Sequence, residues 1–168
     1  MSGARNVRAG LMLLSVGLAT GLAMSCYAFQ PLVPVPPSLQ HYDDLPRRLI
    51  RLAHIAAVML PLINVVVGPW IDRVRLSRPA REVSSRLLLF GAVGLPLTLT
   101  IEAAVPTAIP LHLSALPAIG FFAGLLLLSA GAYRTTFNME ADHADSNQDG
   151  DADRRDRRAP IQAAARRV

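Results

Sequence analysis

AGLMLLSVGLATGLAMSCYAF, residues 9–29, is a run of 21 residues without a charge, entered directly after Arg5 and Arg8. A hydrocarbon layer about 30 Å thick takes roughly 20 apolar residues of helix to cross. Helices buried in water-soluble domains are shorter and are interleaved with charge. In lipid, every backbone N–H and C=O must find its partner inside the chain, so a run of this kind reads as a transmembrane helix. Working outward, three further runs have the same character: 49–70, with Arg51 and His54 near its start; 87–105, with Glu102 near its end; and 111–133, with His112 at its start. A membrane β-barrel would require alternating segments of about ten residues, a pattern the chain lacks. The expected fold class is therefore all-α, a four-helix transmembrane bundle. Its membrane domain spans 9–134, with a short N-terminal flank at 1–8 and a polar tail at 135–168.

Composition agrees. Of 168 residues, 52% are hydrophobic and 17% charged, against about 25% charged in ordinary soluble domains; mean hydropathy is +0.35. The single cysteine, Cys26, excludes a disulfide framework and any cysteine-rich metal centre. A net charge of +5 invites a nucleic-acid reading, but aromatics are 5% of the chain and the apolar runs are long, so no nucleic-acid partner is expected. All basic residues are arginine. No P-loop, GxSxG, HExxH or GxGxxG pattern occurs, and no Ser, His and Asp spacing argues a catalytic triad. The expected partner is the lipid bilayer.

Arginine placement sets the expected orientation. If all four runs span, Arg5, Arg8, Arg73, Arg75, Arg78, Arg81, Arg86 and Arg134 fall on one side. The other side holds Arg47, Arg48 and Arg51, offset by Asp43 and Asp44. The positive-inside rule then puts both termini in the cytoplasm, and the expected location is a bacterial inner membrane. The competing reading of the first run is a secretory signal peptide. Its length exceeds the usual 7–15-residue apolar core of such a peptide, so an uncleaved anchor is favoured; cleavage would leave three helices and an external N-terminus. Between the runs, 30–46 reads as an extended proline-rich loop, 71–86 as an arginine-rich loop and 105–110 as a tight turn closing a helical hairpin. Pro61, Pro96 and Pro117 lie inside runs, where kinks are expected.

Gly17 and Gly21 form one GxxxG pattern, Gly120 and Gly124 another. Small residues at this spacing let helix backbones approach closely, either within the bundle or against other membrane subunits. His54, Glu102 and His112 are ionisable residues within the spans, and the topology gathers them toward one end, near His41, Asp43 and Asp44. Interfacial placement, with Glu102 paired to Arg47, Arg48 or Arg51, is the leading reading, because a charge at the helix centre costs about 2.5–3.5 kcal/mol. Two alternatives stand beside it. His54 and His112 could take the axial positions of a haem b, or His41, His54, His112 and Glu102 could hold copper or zinc. Asn64, deep in the second run, needs a hydrogen-bond partner, for which Thr98 and Thr100 are the candidates. Thr98, Glu102 and Gly91 share a stripe expected to pack inward.

After residue 133 the composition turns polar, and 140–168 reads as a disordered tail. Within it, DSNQDGDADRRD (145–156) resembles an EF-hand calcium loop, with Asp156 where such loops end in Glu. The resemblance implies Asp145, Asn147, Asp149, Asp153 and Asp156 as calcium ligands, and Asp151 through its backbone carbonyl; the other reading of the segment is a solvated acidic linker. Across 42–134, the pieces YDDLPRR (42–48), RLAHI (51–55), LIN (62–64) and GAVGLP (91–96) are similar to an uncharacterised class of small bacterial multi-pass membrane proteins. That resemblance implies a location and no activity. The expected function is thus a non-enzymatic accessory or scaffold protein of the membrane. The alternatives are a haem- or metal-binding redox protein using His54 and His112, and a calcium-responsive protein acting through the tail.

Overall fold

The apolar runs become four helices: α1 (Ser2–Ala28), α2 (Leu45–Ile71) and α3 (Arg78–Ala104), and α4 (Ala115–Tyr133). The computed structural model describes residues 2–28, 34, 35, 37, 41, 43–105 and 112–133, and these are helical or connecting, without a strand. All four helices are long and apolar enough to cross a membrane. The tail, with the calcium-loop resemblance at 145–156, residues 106–110 of the expected 105–110 turn, and much of the expected 30–46 loop lie outside the described residues.

Three helices start earlier than hydropathy predicts. α1 begins at Ser2 rather than Ala9, α2 at Leu45 rather than Leu49, and α3 at Arg78 rather than Leu87. Arg5, Arg8, Arg78, Arg81 and Arg86 therefore ride on helices, and the expected arginine-rich loop shrinks to 72–77. Apolar runs mark the hydrocarbon, whereas a helix continues through the headgroup layer wherever its backbone bonds persist. The start signal of α3 is Ser77, whose side chain accepts from the backbone N–H of Ala80 at 3.4 Å, with Pro79 in the first turn, where a missing N–H costs nothing. Pro46 plays the same part in α2 behind Asp44. α4 begins at Ala115 rather than at 111, so Pro117 also falls in a first turn rather than in a helix interior. Pro61, Pro69 and Pro96 lie inside helices that continue through them.

The helices alternate in direction, and glycines set the register. A Cβ on Gly3 would strike the carbonyl oxygen of Gly68, one on Gly10 would lie 2.8 Å from that of Pro61, and one on Gly17 would strike that of Ala57. Residue numbers rise on α1 as they fall on α2, so the pair is antiparallel and in backbone contact. On the other pair, Gly91 packs on Phe121, and a Cβ on Gly124 would meet the Ser84 carbonyl oxygen at 3.1 Å. α2 and α3 join the two hairpins. Ile71, Val74, Leu88, Phe121 and Leu128 form a core near the α1 N-terminus, and Ala53, Ala56 and Leu99 form a smaller one near the other end.

The distribution of size and polarity is the reverse of a soluble domain. Leu11, Met12, Val16, Leu18 and Leu22 of α1, Leu62, Val66 and Trp70 of α2, Leu97 and Ile101 of α3, and Ile119, Phe122 and Leu126 of α4 all point outward. Asn6, Asn64, Ser84 and Ser85 are fully buried. Water would not tolerate so continuous an apolar exterior on a lone chain. Lipid does, and it leaves association to close backbone approach and interhelical hydrogen bonds, both of which are present.

Candidate functional site

The polar groups concentrate at the end of the bundle where α1 and α3 begin and α2 finishes. Asn6 Nδ2 donates to Asn64 Oδ1 at 2.7 Å and to the Ser85 carbonyl at 3.3 Å. Ser85 Oγ donates to Asn6 Oδ1. Asn64 Nδ2 donates to the carbonyls of Leu60 at 3.0 Å and Leu88 at 3.3 Å. One side chain from each of three helices thus closes a network. Nearby, Ser84 Oγ donates to the Gly124 carbonyl at 2.8 Å and ties in α4.

Around this node lies a charged collar. Arg5 spans it, donating through one terminal nitrogen to Glu82 Oε1 and through the other to Ser85 Oγ, both at 2.8 Å. Ser2 Oγ donates to Glu82 Oε2 at 2.9 Å, and Arg86 Nε donates to Glu82 Oε1 at 3.0 Å. Asp72 accepts from the Gly3 backbone N–H at 3.2 Å, next to the α1 N-terminus, where the helix dipole favours an anion. Arg81 reaches the Asp72 and Leu76 carbonyls and so braces the 72–77 connection.

Toward the opposite end, His54 Nδ1 lies 3.1 Å from Thr20 Oγ1. Thr20 already gives its hydroxyl hydrogen to the Gly17 carbonyl at 2.7 Å, so the oxygen is left to accept from Nδ1–H. The Nε2 edge of the same ring packs on Gly21, whose added Cβ would sit 3.0 Å from it. Glu102 turns both oxygens to Ser114, accepting from its backbone N–H at 2.8 Å and its hydroxyl at 3.0 Å. Ser114 precedes the first residue of α4, so the carboxylate from the end of α3 caps the next helix across the hairpin.

No family model matches the chain, nor does any curated protein or solved structure.

Several expected contacts take a different form. Asn64 pairs with Asn6 and not with Thr98 or Thr100, which bond back to carbonyls of their own helix. The register explains this: Asn64 is level with Leu88 of α3, and Thr98 is about 15 Å further along at 1.5 Å per residue. Glu102 serves Ser114, while Arg48 reaches Asp43 at 3.4 Å. The stripe of Gly91, Thr98 and Glu102 turns toward α4 at two of its points, through Phe121 and Ser114. His54 is held between α1 and α2, whereas His112 is exposed ahead of α4. Among the described residues no three His, Cys, Asp or Glu side chains gather as a metal-binding group, so His41, His54, His112 and Glu102 do not assemble a copper or zinc site.

Hydropathy gives no weight to Asn6, which lies in the flank before the first apolar run. A signal for it exists. Gly3, Gly10 and Gly17 recur every seven residues, and Asn6, Leu13 and Thr20 sit three after each, the spacing of a helix–helix seam. Asn6 occupies that seam, where a polar residue must meet a partner.

Proposed function

We propose that this chain is a non-enzymatic accessory or scaffold protein of a bacterial inner membrane, with both termini in the cytoplasm. The observation that carries the reading is how the buried polar groups are used. Among the described residues every buried side-chain nitrogen and oxygen has a hydrogen-bond partner, and those partners lie within the chain. The Asn6, Asn64 and Ser85 node, the Glu82 collar and the Glu102 cap each fasten one helix to another. Gly17, Gly21, Gly120 and Gly124 likewise face neighbouring helices of the same chain. Another membrane subunit would therefore meet the outward apolar side chains. The resemblance to small bacterial multi-pass proteins supports the location.

Orientation follows from charge. Arg5, Arg8, Arg73, Arg75, Arg78, Arg81 and Arg86 share one end of the bundle, and Arg47, Arg48 and Arg51 the other, beside Asp43 and Asp44. In a Cys26→Ser background, an impermeant maleimide applied to spheroplasts is expected to label Ser38→Cys and to spare Ser77→Cys. Inside-out vesicles should give the opposite pattern. Labelling of Ser77→Cys from outside would reverse the topology.

The scaffold reading separates from a redox one by optical spectrum and metal analysis of the purified protein. A colourless, metal-free preparation is expected. A Soret band abolished by His54→Ala would replace the scaffold with a haem protein.

A further inference from the structure

α3 carries Arg86, Leu89, Phe90, Val93 and Leu97 at positions i, i+3, i+4, i+7 and i+11, a single stripe along the helix. With Arg5 of α1 this stripe lines an open groove of about 610 Å³. Gly94 also lines it and contributes no side chain. Phe90, Val93 and Leu97 are each close to half exposed. The groove is thus basic at one end and apolar along the rest.

Two dimensions of this groove match one kind of molecule. From Arg86 to Leu97 is about 16 Å at 1.5 Å per residue, close to half of a hydrocarbon core about 30 Å thick. The apolar bed is therefore one leaflet deep. Arg86 immediately precedes the apolar run of α3, which sets it at the boundary between hydrocarbon and headgroups. Arg5 and Arg86 share Glu82 Oε1 at 2.8 and 3.0 Å, so the trio carries one net positive charge. Its two guanidinium side chains remain 43% and 73% exposed, which leaves Arg86 in particular with N–H donors to spare.

We propose that this groove binds one anionic phospholipid of the leaflet at the arginine-rich end. The phosphodiester bridges Arg5 and Arg86, and an acyl chain lies along Leu89, Phe90, Val93 and Leu97. A headgroup of net charge −1 complements the net +1 of the trio. A zwitterionic choline lipid brings a cation to the same place and gains less. The site requires membrane residence but neither the accessory role nor a particular compartment for the termini, so its failure and theirs are separable.

The test is lipid retention by the full-length protein in mild detergent, read by native mass spectrometry. The probes are dioleoylphosphatidylglycerol and dioleoylphosphatidylcholine, added separately. One bound phosphatidylglycerol per chain is expected, in preference to phosphatidylcholine. Arg86→Gln should weaken its binding about fivefold, the effect of one arginine near the membrane surface. Val93→Trp, which fills the bed and leaves the charges, should weaken it as well. Arg73→Gln removes a charge from the same end but outside the groove, where Arg73 stacks 5.9 Å from the Trp70 ring, and should leave binding unchanged. Any other pattern overturns the proposal. Equal losses in Arg73→Gln and Arg86→Gln would mean diffuse attraction to a basic surface, and an unaffected Val93→Trp would mean that no acyl chain occupies the bed. Because Arg86 and Val93 are exposed, unchanged SDS-unfolding midpoints separate lost binding from lost fold.

Discussion

Gly17→Ala is expected to destabilise the bundle by about 1–3 kcal/mol, the cost of forcing a methylene into a closed interface. The sign is not obvious in advance. Alanine is the better helix former by up to about 1 kcal/mol, and in an open helix the substitution would stabilise. At Gly17 the new Cβ meets the backbone carbonyl of Ala57, with Val58 Cγ2 a further 3.3 Å contact. A carbonyl oxygen cannot rotate aside as a side chain can. α1 would have to back away from α2 as a body, loosening the Gly10 contact and the Thr20–His54 hydrogen bond on the same seam. Gly120→Ala makes the comparison. Its Cβ would meet the Phe90 ring edge, at 3.1 and 3.4 Å, and Leu87 Cδ2 at an ordinary 3.7 Å; a ring edge can yield by a few tenths of an ångström, so near-neutrality is expected. SDS titration in mixed micelles reads both. A Gly17→Ala protein as stable as the parent would contradict the backbone contact between α1 and α2.

That contrast bears on what a sequence can display. The number and class of helices are legible, because hydrocarbon thickness imposes a length of about 20 apolar residues and four runs meet it. The starts of α1, α2 and α3 are not legible from hydropathy, because Ser2, Arg5, Arg47, Arg48, Arg78 and Arg81 sit in helical turns outside the apolar runs, where polarity and helicity are compatible. Ser77 with Pro79 marks the α3 start by capping chemistry instead. The GxxxG glycines announce close packing, but their spacing does not say against which helix. Only the register does: Gly17 and Gly21 face Ala57 and His54, while Gly120 and Gly124 face α3.

The polar node shows the same limit from another side. Burial of Asn64 in lipid dictates a partner, and the local pattern offered Thr98 and Thr100 on the adjacent helix. Hydroxyls in membrane helices can satisfy themselves on a carbonyl one turn back, as Thr98 does on Gly94 at 2.8 Å. A carboxamide has two acceptor sites and two donors and cannot finish its hydrogen bonding on its own helix alone. Asn64 therefore selects another group able to donate to it, and Asn6 is the residue at its level. Glu102 follows a related logic: an interfacial carboxylate can be satisfied by the open N–H groups at a helix start as well as by an arginine, and Ser114 provides both an N–H and a hydroxyl.

Asn64→Ala is accordingly expected to cost about 2 kcal/mol or more, because it strips Asn6 of one acceptor in a fully buried site and opens a cavity. Thr98→Val should be near neutral, since Thr98 bonds only within α3; the pair of variants distinguishes the two candidate partnerships directly. Asn6→Ala should cost a similar amount to Asn64→Ala, from the other side of the same bond. The double variant should lose less than the sum of the two, because once Asn64 is gone the buried amide of Asn6 is itself a burden. The coupling expected from a double-mutant cycle is about 1 kcal/mol, within the range of interhelical hydrogen bonds in membranes. SDS unfolding of the four proteins measures it. Strict additivity would mean that Asn6 and Asn64 do not meet, and the register joining α1 to α2 and α3 at this end would have to be redrawn.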